Sequence, residues 1–200
     1  YGYNGFSGIR LDFGQYNTVE ANNIRGDNTA SLSSVPGGIV FRAGSYNAAR
    51  GNTIVHTAGN EGPGIAAKIG AGDAGTYVGT AIEHNTIIAA NIAVECKLNS
   101  KLRVSGNSIV NPTLNSIYLE DVNDSQISDN RINSTSTSIT HIRSTPGTNN
   151  DRNDISRNKF NCANTSGNLI ILDSAASRYT TICDNDMTAV TGLANNSKIS

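Results

Sequence analysis

Six charged residues fall at one place in a recurring segment of this chain. Each copy reads apolar-x-apolar, and the residue that follows is Asp12, Arg42, Lys68, Glu95, Glu120 or Asp173. Those residue types could do acid–base work on a bound polymer. Two carboxylates can share a hydrolysis, one protonating the leaving oxygen while the other attacks or activates water. Lys68 or Arg42 could instead neutralise an acidic group beside an abstracted proton. Either chemistry requires that the residues share one face, so the elements that carry them decide the matter.

The recurring segment occurs at Ile9 to Leu11, Ile39 to Phe41, Ile65 to Ala67, Ile92 to Val94, Ile117 to Leu119, Ile139 to His141 and Ile170 to Leu172. Between copies lies a second motif, apolar-x-x-Asn-x-apolar, with its asparagine at Asn22, Asn52, Asn85, Asn107, Asn130, Asn158 and Asn185. Asparagine is the outlying component of the composition, 27 of 200 residues. Short apolar/polar alternations broken by polar turns read as strands, and no stretch keeps a helical period. Units of 22 to 33 residues that cannot bury a face alone must stack on one another. The expected fold is all-β: a parallel β-helix of about eight turns, three short strands per turn, with little or no helix. The asparagines are expected to take a left-handed corner conformation and to hydrogen-bond along the stack.

This register fixes the expected face. Lys68, Glu95 and Glu120 fall on three consecutive turns, with Arg10, Val40, Ala93 and Tyr118 in the neighbouring outward column. Glu95 and Glu120 would then be stacked about 5 Å apart, the carboxylate spacing of a retaining glycosidase, and one of them should hold its proton more tightly. The plainer alternative is a solvated face whose alternating charges steady the stack. In the Ile139 to His141 segment the same count turns His141 inward and places Ile142 in the outward column. Long segments between Ile24 and Ile39, Ile54 and Ile82, and His141 and Ile155 are expected to wall the tight turns from Ile82 to Ile132.

The motif Asn-Thr-[Val/Ile]-x-x-Asn-x-Ile followed by Gly-Ile-x-Leu resembles the right-handed parallel β-helix of pectate-lyase-like proteins, over roughly residues 8 to 190, and its Ser/Thr/Asn-rich style is most similar to a phage tailspike. The resemblance implies one β-helix domain over residues 1–200, a piece of a longer chain without the amino-terminal cap. It also implies a homotrimer, an extracellular or virion location, and binding and cleavage of a bacterial surface glycan, by hydrolysis or by elimination. Glu95 and Glu120 are the catalytic candidates. Lys68, Arg42, Tyr118 and Asp173 are the candidate substrate contacts, Tyr118 by stacking on a sugar ring. A non-catalytic, adhesive or structural stem is the rival within the same fold.

Other readings are excluded or weak. With 15 Lys+Arg against 16 Asp+Glu and no basic cluster, nucleic acid is not an expected partner. No apolar run approaches membrane-spanning length, so no membrane insertion is expected. No cofactor or metal is expected: His56, His84 and His141 do not share a register. Gly70 to Gly75 matches a nucleotide-loop pattern but is followed by no helix to receive a phosphate. Cys96, Cys162 and Cys183 are expected as small buried hydrophobes. Asp121, Asp124 and Asp129 read as polar turns. The glycosylation sequons at Asn123, Asn133, Asn164 and Asn195 are the chance product of an Asn-rich chain.

Overall fold

The computed structural model describes residues 7–25, 37–56, 62–68, 77–145, 151–162, 169–172 and 179–187. Among them there are strands and turns and no helix. All pairings are parallel, and every strand pairs with its equivalent in the next turn, so the chain is a parallel β-solenoid. The first sheet runs through Ser7–Asp12, Gly37–Arg42, Ile65–Lys68, Ile92–Ser100, Asn115–Asn123, Thr140–Thr145 and Ile170–Leu172. The second stacks Thr18–Glu20, Ala48–Arg50, Ala81–Glu83, Arg103–Ser105, Gln126–Ser128, Asp154–Ser156 and Thr181–Cys183. The third stacks Asn23–Arg25, Thr53–Val55, Thr86–Ile88, Ser108–Val110, Arg131–Ser134 and Lys159–Cys162. A short strand, Tyr77–Val78, pairs with the end of Ile92–Ser100. Among the described residues these make six complete turns and part of a seventh, against the roughly eight expected for the chain.

Alternation within each strand sends one residue type inward. On the third sheet the inward column is Ile24, Ile54, Ile87, Ile109, Ile132 and Phe160. On the second it is Val19, Ala49, Ile82, Val104, Ile127, Ile155 and Ile182. Nearly all of these side chains belong to one continuous core. β-branched side chains suit this arrangement, because they pack well on a pleated surface with one χ1 well filled.

The corner between the second and third sheets is always two residues long, from Ala21 and Asn22 to Arg157 and Asn158. Here the asparagines form a ladder through the whole stack. Asn107, for example, receives Nδ2–H of Asn85 on its Oδ1 at 3.0 Å and the backbone N–H of Asn85 at 2.9 Å. Its own Nδ2 donates to Asn130 Oδ1 at 2.9 Å and to the Ile82 carbonyl at 2.8 Å. The same pattern joins Asn22, Asn52, Asn85, Asn107, Asn130, Asn158 and Asn185. An amide has both donors and an acceptor, so one side chain satisfies a buried corner above and below. The left-handed residue is not the asparagine, contrary to expectation, but the one before it: Ala21, Gly51, His84, Gly106, Asp129, Arg157 and Asp184, with φ between 55° and 64°. The asparagine keeps ordinary backbone geometry because its side chain is the part that repeats.

Candidate functional site

The first sheet carries the longest strands, and its outward residues fall into two columns. Register places Asp12, Arg42 and Lys68 in one of them, then Lys97, Glu120 and Thr145. The other holds Arg10, Val40, Ala66, Glu95, Tyr118 and Arg143. Arg10, Arg42, Lys68, Glu95, Tyr118 and Glu120 therefore lie on one outward face. Asp173 lies outside the described residues, as do most of the segments expected to wall the face.

The expected stacking of Glu95 on Glu120 does not occur. Val94, not Ile92, pairs with Ile65, and Cys96 with Ala67, so Glu95 moves to the second column and Lys97 takes its place in the first. Ala93, expected outward, is buried. The strand begins two residues before the repeat proper, and its extra apolar residue imitates the motif. The missed signal is a distance: Leu11, Phe41, Cys96 and Leu119 each lie eleven residues before a ladder asparagine, whereas Val94 does not. A similar shift affects the sixth turn, where Ile142, Arg143 and Ser144 pair with Ile117, Tyr118 and Leu119. Ile142 is thus core, not surface, while His141 is inward as expected and fully buried.

The resulting site is a chain of charge. Lys68 Nζ donates to Glu95 Oε2 at 2.5 Å. Lys97 Nζ stands 3.5 Å from Glu95 Oε1 and 2.9 Å from Glu120 Oε2. Tyr118 donates its hydroxyl proton to the same Glu120 oxygen at 3.0 Å and accepts one from Thr145 Oγ1 at 2.9 Å. The Lys97 ammonium lies 5.4 Å from the Tyr118 ring centroid, within cation–π range. Burial acts to lower the Lys97 pKa, but the hydrogen bond to Glu120 and the charges of Glu95 and Glu120 outweigh it, so the ammonium is held above its usual range. The two carboxylates differ. The Glu95 side chain is 8% exposed with both oxygens against lysines, whereas that of Glu120 is 34% exposed. Higher on the same face, Val40 and Ala66 are fully buried as a separate apolar pair.

Other residues have structural places. Tyr16, Tyr46 and Tyr179 occupy the left-handed corner between the first and second sheets, and the Tyr16 and Tyr46 rings stack at 5.0 Å, 4° apart. Asp124 and Asp129 pair with Arg152 and Arg157 of the next turn. Their carboxyls are held below the usual range first by those guanidinium hydrogen bonds. Asn123 accepts the Asp151 N–H and Asn133 accepts from Asn161; Asn164, Asn195 and the Gly70 to Gly75 segment are outside the described residues. Cys96 and Cys162 are buried, but Cys183 is exposed. Among the described residues no cluster of three potential metal ligands occurs, and no helix is long and apolar enough to cross a membrane.

No family model matches the chain, and no curated protein matches it. Among solved structures it is similar to a variant of DFA-IIIase from Arthrobacter chlorophenolicus A6 in complex with DFA-III, at 12% identity and a TM-score of 0.47. The likeness covers 80% of this chain and 45% of that one, so the chain spans less than half the length of that enzyme. Strand pairing and register define the class independently: an all-β parallel solenoid with a charged, tyrosine-bearing face on its longest sheet.

Proposed function

We propose that the protein binds a bacterial surface polysaccharide along the outward face of the first sheet and cleaves it, in the manner of a trimeric, extracellular tailspike-like β-helix. The observation that carries this reading is the linked set Lys68, Glu95, Lys97, Glu120 and Tyr118 on one face of the first parallel sheet. Arg42 and Asp173 extend the proposed contacts. Such a face offers an extended polymer charged partners, hydroxyl partners and an aromatic surface in one line.

Glu95 and Glu120 are diagonal neighbours, since Glu95 pairs with Tyr118. Both carboxylates sit on the one Lys97 ammonium, 3.5 Å and 2.9 Å from it, so their nearest oxygens are no more than about 6.4 Å apart, between the ~5–5.5 Å of a retaining pair and the ~6.5–9.5 Å of an inverting one. Glu120, the more exposed, is the proposed base, and Lys97 holds it in place. In an elimination the lysines would instead neutralise a uronate. A stem without catalysis is supported by a different observation: each carboxylate of the face already has a cationic partner, which alone would steady the stack.

The test is to incubate the protein with a panel of bacterial surface polysaccharides, measuring reducing ends and the ultraviolet absorbance of unsaturated products. Reducing ends alone mean hydrolysis; both signals together mean elimination. Binding without either signal supports the stem, and neither binding nor cleavage across the panel rejects the glycan reading. Glu120→Gln should abolish cleavage, and full activity in that variant would reject the assigned base.

A further inference from the structure

We infer that a trough beside the second sheet, away from the first-sheet face, binds a short zwitterionic peptide of dipeptide length, its carboxylate held by Lys101 and Arg103 and its ammonium by Asp154. This does not rest on the glycan reading above. The trough has a volume of about 480 Å³, within the range of small-ligand sites. One wall is the corner between the first and second sheets, where Lys101, Asp124 and Arg152 hold the same left-handed position on successive turns. The other wall is an outward column of the second sheet, in which Arg103 pairs with Gln126 and Gln126 with Asp154.

The charges of the trough are of two sorts. Asp124 is closed by Arg152, whose Nε and Nη2 donate to its two oxygens at 2.6 and 2.9 Å. Arg103 makes one long contact, 3.4 Å from Nη1 to Glu83 Oε1, and Glu83 is held more closely by Arg50, at 2.9 Å. A guanidinium has five N–H donors, and the Arg103 side chain is 61% exposed, so most of it is open to a ligand. Among the described residues no ion pair or side-chain hydrogen bond engages the Lys101 ammonium, the Gln126 amide or the Asp154 carboxylate. Lys101 and Asp154 do not satisfy each other, being two turns apart on opposite walls.

The order along the trough is therefore cation, neutral amide, carboxylate, one to each turn. Each step is one strand spacing, so Arg103 and Asp154 stand about 10 Å apart. A ligand that meets all three must present an anion, a group that both donates and accepts hydrogen bonds, and a cation, in that order. A dipeptide does so with its carboxylate, its peptide group and its ammonium. Extended, it spans roughly 7 Å, so that with its carboxylate on Arg103 its ammonium reaches Asp154. A single amino acid carries the same charges but spans half as far and has no peptide group for Gln126. Dicarboxylates and diamines set a like charge against one end of the trough, which opposes binding.

Calorimetric titration of the unaltered protein with L-alanyl-L-alanine tests the inference, beside the N-acetylated dipeptide, its C-terminal amide and free alanine. The dipeptide should bind at millimolar concentration or below. Capping either end, or shortening to alanine, should weaken binding roughly tenfold or more, the loss expected of one charge-assisted contact. Asp154→Asn should weaken binding of the free dipeptide and leave that of the N-acetylated form unchanged, because both changes remove the same contact. No binding of the dipeptide at roughly 10 mM, or an affinity that neither capping nor Asp154→Asn lowers, overturns the inference. Alanine binding as tightly as the dipeptide overturns the assigned length. Should Asp154→Asn fail to fold, the capped peptides decide the matter with the unaltered protein.

Discussion

The corner between the second and third sheets and the connection from the third sheet back to the first obey different rules. The corner never changes length, and its ladder of asparagines continues from Asn22 to Asn185. The connection back to the first sheet ranges from three residues, 89–91, to eleven, 26–36. A buried corner must satisfy its backbone groups in every turn, so one residue and one geometry recur. An outward face has no such debt and is free to vary. The corner between the first and second sheets lies between these extremes. Asn17 and Asn47 begin a second ladder there, and Ser125 and Asn153 resume it. Thr80 and Leu102 interrupt it, and the Thr80 hydroxyl is buried without a hydrogen-bond partner.

The largest expected effect tests this contrast directly. Asn130→Ala removes four hydrogen bonds of a fully buried amide and strands buried partners above and below, at a cost of about 4 kcal/mol. Asn17→Ala, at the half-buried start of the second ladder, loses one side-chain bond and should cost about 1 kcal/mol. Denaturant unfolding measures both, and similar losses would remove the distinction between the corners.

Next in size is a dependence on pH. His141 is buried beside Phe160, with Nδ1 2.9 Å from Ser116 Oγ. Burial drives its pKa down from 6.5 to about 4. The folded state therefore favours the neutral ring, and its contribution is complete above pH 6.5. That contribution should fall as the pH drops from 6.5 toward 4, by about 3 kcal/mol in all. Replacing His141 with Leu should flatten stability across this window; an unchanged slope would contradict the assignment.

Smaller still is Gly106→Ala. Gly106 has φ 64°, and an added Cβ would sit 2.5 Å from His84 Nδ1. The exposed His84 ring can shift, so the expected loss is the left-handed backbone cost of about 1–2 kcal/mol. The smallest effect on stability is expected for Lys97→Met, within about 1 kcal/mol, because the ion pair is partly solvated.

The same contrast explains what could be read from the sequence. The β-solenoid, the three strands per turn and the seven ladder asparagines were legible because buried corners force repetition. The outward face of the early turns was legible too, as Asp12, Arg42 and Lys68 share a column. Register failed at Glu95 and at Ile142, the two places where an extra apolar residue stands at or just before the start of a first-sheet strand. Ile92 and Ile139 imitate the motif, and only the distance to the ladder separates Val94 and Cys96 from them. That two-residue slip hid Lys97, which turns a supposed pair of stacked carboxylates into a lysine-bridged chain. The left-handed residue at the ladder corner was misassigned for a related reason. The asparagine repeats because of its side chain, while the backbone strain falls on a neighbour whose identity varies along the stack.

The account rests on a division of labour: the ladder holds the fold, and the charged face is spared for a ligand. Thermal unfolding of Lys97→Met beside Asn130→Ala tests it most directly. The ladder variant should melt about 10 °C lower, and the face variant within about 4 °C of the unaltered protein. A loss in Lys97→Met as large as that in Asn130→Ala would show that the face is a structural brace.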